Sequence, residues 1–221
     1  MVDLAIKESD NDAAYALWSQ VKWREGSADK AVEELLEDYG SHADIHDTAF
    51  GYSTWSLKDQ AVFGAELPCI EEADYVHKVL KDIVSWQKIG LSKEKRTRAK
   101  SGWGLDEDDN EYTYRQFGVH EVVGKRVGVA LSVVTDGEDY AKAEPAVEYL
   151  AHELVDIVDR GVEKGNIEPA AQCKDRYASC DLVERGEAAI LNATTAHDAF
   201  SRFVGHKRSL SHPMPRTPFV G

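Results

Sequence analysis

The chain has 221 residues, 30% of them charged and 43% hydrophobic, with a formal net charge of −14. That is enough chain to bury a core, and too acidic for stable nucleic-acid binding, which needs a basic footprint on phosphate. No apolar run approaches the roughly 20 residues that span a bilayer, and the first ten residues hold no apolar signal core, so neither a membrane span nor a secretory signal is expected.

Cys69, Cys173 and Cys180 are too few, and odd in number, for a disulfide framework. They predict free thiols in a reducing setting, cytoplasmic or within a virion.

In chain order, residues 10–23 read as a helix on the spacing of Ala13, Ala14, Leu17, Trp18 and Val21, capped by Ser9 or Asp10. Ser27 caps a second helix over 28–39, and Gly40 ends it. Residues 41–68 read as irregular. The spacing of Ala73, Val76, Leu80, Ile83 and Val84 predicts one long helix over 70–89.

Residues 90–111 read as an exposed loop, basic at 93–100 and acidic at 106–111. Val127, Val129, Leu131 and Val133 alternate at period two, which predicts an antiparallel hairpin over about 112–135 turning at Gly124-Lys125. Val147, Leu150, Leu154, Ile157 and Val158 predict a strong amphipathic helix over 144–163. One or two more helices are expected before Val204, using Leu182, Ile190, Ala193 and Phe200.

The expected fold is therefore mainly α. A single body over 1–204, of five to six helices with one inserted hairpin, precedes an extended arm at 205–221.

The densest group of potential metal ligands is His42, Asp44 and His46. At alternate positions they would share one side of an extended strand and could approach one ion, giving a metal-dependent hydrolase as an alternative function. Glu148, His152, Asp156 and Asp159 share a stripe of their helix opposite its apolar face, so a solvated surface is expected there. Glu33-Glu34-Leu35-Leu36-Glu37 and Glu153-Leu154-Val155-Asp156 resemble the magnesium-holding letters of all-α nucleotide pyrophosphatases, though far apart in sequence. Ser53 lacks the second glycine of a nucleophile elbow, and no phosphate loop is present. No catalytic signature is read, so a non-enzyme is expected, with no cofactor.

Residues 199–221 hold Arg202, Lys207, Arg208 and Arg216 and no acid, together with Pro213, Pro215, Pro218 and Phe219. Such a segment can lie as an extended basic arm on an acidic surface. Another copy of this chain or a different protein subunit would supply that surface, so a homo-oligomer is expected. Arg202, Lys207, Arg208, Arg216 and Phe219 would make the contacts, along with Val127, Val129 and Leu131 on the hairpin. In general architecture the helical body, hairpin and tail resemble the adaptor or connector rings of tailed-virus necks. The acidic body would also suit an inhibitor that imitates DNA.

Overall fold

A computed structural model of the chain describes residues 1–48, 50–106, 110–137, 140–170, 173 and 189–193. Two sheets form among them. β1 (Ala43–Asp44) and β2 (Thr54–Trp55) make a short antiparallel ladder. β3 (Thr97–Asp106), β4 (Glu111–Val122), β5 (Lys125–Asp136) and β6 (Ala189–Ala193) make a four-stranded sheet in that spatial order. The first three run as an antiparallel meander, and β6 joins β5 in parallel. The helices are α1 (Asn11–Glu25), α2 (Ala28–Asp38), α3 (Leu57–Glu66), α4 (Asp74–Val79) and α5 (Tyr140–Glu163).

The meander follows from its turn. Val123 and Gly124 both have positive φ, 51° and 73°, as a mirror-type two-residue turn requires to match the strand twist. The turn lies one residue before the expected pair. On one face of β5, Val127, Val129, Leu131 and Val133 are at most 1% exposed and pack on Val147, Leu150, Leu154 and Val158 of α5. Val127, Val129 and Leu131 are thus core residues, and the expectation that they meet a partner is overturned by the helix that covers them.

The other face of β5 receives α3. A Cβ on Gly128 would collide with the Ala61 carbonyl, and one on Gly64 with the Gly118 carbonyl of β4. The helix therefore lies close against the sheet where side chains are missing. Beside that contact Trp55 packs edge-on to Phe117, with ring centroids 4.9 Å apart, and to Phe63 at 5.9 Å.

A mainly helical body with one hairpin is therefore incorrect: the molecule is an α/β structure with helices on both faces of a sheet. Residues 90–111 contain edge strand β3, and 41–68 contain α3, whose cap Ser56 accepts from the Asp59 amide at 3.0 Å. The long helix expected over 70–89 is broken. Ile83 and Val84 take extended ψ values of 136° and 146°, and the Val84 amide donates to the Lys7 carbonyl at 3.1 Å. Its apolar residues Ile70, Leu80 and Ile83 still cluster, with Leu67. Ile190 and Ala193, expected on a helix, lie in β6. The arm at 205–221, with Lys207, Arg208, Arg216 and Phe219, lies outside the described residues, as does Arg202.

Cys69 and Cys173 form a disulfide across 104 residues of sequence, with Cα atoms 5.1 Å apart. The bond ties the chain after α5 to the end of α3. The expectation of free thiols fails for this pair, whose proximity comes from the tertiary fold rather than from sequence spacing.

Candidate functional site

The N-terminal segment folds as a π-helical turn over Leu4–Glu8, held by Ile6 against the Leu67–Ile83 cluster. It ends at Ser9, whose φ of 54° is left-handed. Asp10 then caps α1, its Oδ1 accepting from the Ala13 amide at 2.6 Å. This sharp exit aims the Ser9 hydroxyl away from α1 and toward β3.

Lys100 comes from the middle of β3, the edge strand. Its Nζ donates to Ser9 Oγ, to the Ser101 carbonyl at 2.9 Å and to Gln87 Oε1 at 3.4 Å. Ser9 Oγ in turn donates to Gln87 Oε1 at 2.8 Å. Gln87 is 1% exposed, and its Nε2 is anchored on the Glu8 carbonyl at 2.7 Å. Lys100 has no carboxylate partner among the described residues. Burial alone lowers its pKa from 10.5 to about 8. The result is an amine that can be neutral near physiological pH, in contact with a serine hydroxyl.

The strand that carries Lys100 is braced from behind. Gln116 of β4 is fully buried and donates to Ser101 Oγ and to the Ile89 carbonyl, both at 2.8 Å, while its Oε1 accepts from the Leu91 amide at 2.8 Å. Trp103 stacks on Tyr114 with centroids 5.8 Å apart, and the Lys100 ammonium lies 5.9 Å from the Trp103 ring centre.

A second polar group joins the start of β3 to α5. Buried His120 reaches Thr97 Oγ1 at 2.7 Å and Asp159 Oδ1 at 3.1 Å, and Arg96 donates to Asp159 Oδ2 at 2.7 Å. Lys93 pairs with Glu148, and His152 with Glu94 at 3.5 Å. The helix stripe expected to face solvent is thus covered in part by the basic stretch 93–96. The two were read as separate features because their pairing depends on how β3 folds back on α5.

The His42, Asp44 and His46 group is spread along the entrance to β1 and beyond it. The His42 amide donates to Asp59 Oδ1 at 3.1 Å, and the His46 amide to Ser53 Oγ at 3.0 Å. Among the described residues no three His, Cys, Asp or Glu side chains gather to hold a metal ion.

No family model matches the chain, and no curated protein matches it. Among solved structures it superposes on a β-lactamase from Chitinophaga pinensis with a TM-score of 0.52 at 15% identity, over 71% of this chain and 63% of that one. The chain therefore spans less than two thirds of that protein, and the likeness is one of fold. An α/β fold removes the ground for the connector-ring comparison and its virion setting, which rested on a helical body.

Sequence reasoning took Ser9 as a helix cap and Lys100 as one base among several. The available signal was a pair of triplets, Ser9-Asp10-Asn11 and Lys100-Ser101-Gly102, 91 residues apart. Ser-Asp-Asn and Lys-Thr-Gly are two of the three motifs that carry class A β-lactamase and penicillin-binding chemistry, the third being Ser-x-x-Lys. Here serine stands for threonine in the second triplet.

Proposed function

We propose that Ser9, Lys100 and Gln87 are the proton-transfer part of a serine acyl-transfer centre, acting on an amide or β-lactam carbonyl. The observation that carries this reading is the half-buried Lys100 ammonium, bonded to the Ser9 hydroxyl with no acid to neutralise it among the described residues. A lysine held that way is costly to fold around and useful for moving protons. In its neutral form Lys100 accepts the Ser9 hydroxyl proton as Ser9 Oγ attacks the carbonyl. In its charged form it gives that proton to the departing nitrogen. The two triplets and the shared fold support the same assignment.

The spelling Ser-x-x-Lys begins at Ser19, Ser27, Ser85 and Ser92, and none of these serines is hydrogen-bonded to Ser9 or Lys100. Ser9 itself is therefore the serine in contact with the base. The test is incubation of the full chain with a chromogenic β-lactam, followed by turnover measurement and mass mapping of the adduct. Turnover or a serine adduct that disappears in Lys100→Met supports the centre, and the adduct position separates Ser9 as nucleophile from Ser9 as relay. A chain that neither reacts with nor saturably binds the β-lactam sinks the reading.

The disulfide supports action in an oxidising compartment, where such bonds persist. Assembly through the acid-free C-terminal arm is a separate proposal resting on charge in the sequence. A version ending at Gly205 that assembles like the full chain, by light scattering, would remove it.

A further inference from the structure

The short 3₁₀ turn Ser85–Gln87 delivers two side chains in opposite ways. Gln87 turns inward to Ser9 and Lys100. Trp86, its neighbour, stays 43% exposed, with its ring edge-on to Trp103 at 6.2 Å and 75°. Trp103 is held flat against Tyr114, itself 1% exposed, so its position is fixed by the core. The Lys100 ammonium stands 5.9 Å from the same Trp103 ring. Two residues beyond Lys100, Gly102 has nothing within 4 Å of where a Cβ would stand.

These groups stand in series: the Lys100 ammonium is 5.9 Å from the Trp103 ring centre, and the Trp86 ring is 6.2 Å from that of Trp103. An exposed tryptophan alone has no such meaning. Trp23, at the end of α1, is 86% exposed and touches none of these groups.

We propose that Trp86, backed by Trp103, is the binding shelf for a flat aromatic group on the substrate of the Ser9–Lys100 centre. The inference rests on the acyl-transfer reading of that centre and adds its substrate class: acyl compounds with an aromatic substituent near the reacting carbonyl. Offset or edge-on ring packing on Trp86 gives the preference, and the core-fixed Trp103 keeps the shelf from collapsing.

Calorimetric titration of the full chain with two β-lactams on one ring nucleus tests this. One bears an arylacetyl amide and the other a free amine, and Lys100→Met and Trp23→Ala serve as controls. The expected result is about 5-fold tighter binding of the aryl compound. Trp86→Ala should abolish that preference, Trp86→Phe should keep most of it, and Trp23→Ala should leave it unchanged. Equal binding of both compounds by the wild-type chain, or a preference that survives Trp86→Ala, overturns the shelf and leaves the centre standing. Absence of Lys100-dependent binding for either compound overturns the centre, and the shelf with it.

Discussion

Strands β5 and β3 belong to one sheet yet are built on opposite terms. β5 is central, covered by α3 and α5, and its buried positions are valine, leucine, alanine and glycine with only Ser132 and Thr135 polar. β3 is the edge strand. It carries Arg98, Lys100 and Trp103 and is held by polar contacts to His77, Ser9, Gln87 and Gln116. One strand is selected for packing. The other departs from packing where Lys100 meets Ser9 and Gln87.

The contrast predicts where substitutions will hurt. Leu131→Ala should cost about 3–4 kcal/mol, since a fully buried leucine is removed between two layers. A urea midpoint implying a loss under about 1 kcal/mol would break the comparison from the β5 side. The double change Cys69→Ser, Cys173→Ser should cost about 2–4 kcal/mol, read from the same denaturation curves. Intact mass before and after reduction would show the native bond.

Lys100→Met should behave differently. It removes a half-buried charge while roughly keeping volume, so at pH 7 the fold should be retained or gain up to about 1 kcal/mol, while the proposed reaction with β-lactams should be lost. The pH dependence has a definite sign. Because burial lowers the Lys100 pKa to about 8 from 10.5, the unfolded chain binds the proton more tightly. The penalty is present in full below pH 8 and is relieved as pH rises toward 10.5. The stability of the wild type relative to Lys100→Met should therefore climb across that window. A flat difference would mean that Lys100 is solvated.

The smallest effect lies at the start of β3. Burial, and then the Arg98 charge, lower the His77 pKa from 6.5 to about 4. Folding excludes that proton, so stability should fall as pH drops from about 6.5 toward 4. His77→Phe should lose this component of the slope, and an unchanged acid limb would remove it.

The same contrast explains what the sequence showed. β5 was legible because its two buried faces differ in side-chain size: Val127, Val129, Leu131 and Val133 meet α5, whereas the small Gly128 and Ala130 alternate with them on the other face. The α5 stripe was legible because it covers those residues. β3 was not, because Arg98, Lys100 and Gly102 interleave with Ala99, Ser101 and Trp103, and so dense a charge reads as a solvated loop. α3 was hidden for a related reason. It meets the sheet through Ala61 and Gly64, which give little apolar signal although they set the closest contact. The site escaped notice because its halves are 91 residues apart and neither half is unusual by itself. A serine before a helix and a lysine in a basic run become a pair only when the N-terminal segment is laid against the sheet edge.

Ser9 carries one more consequence. Its backbone, at φ 54°, is one that glycine occupies freely and serine only at a cost of about 1 kcal/mol. Both Ser9→Gly and Ser9→Ala lose the hydroxyl and its bonds to Gln87 and Lys100, but only alanine keeps the strain, so Ser9→Gly should be the more stable of the two by about 1 kcal/mol on urea denaturation. The chain holds a serine where its own main chain would be better served by none, so that position is set by what the oxygen does.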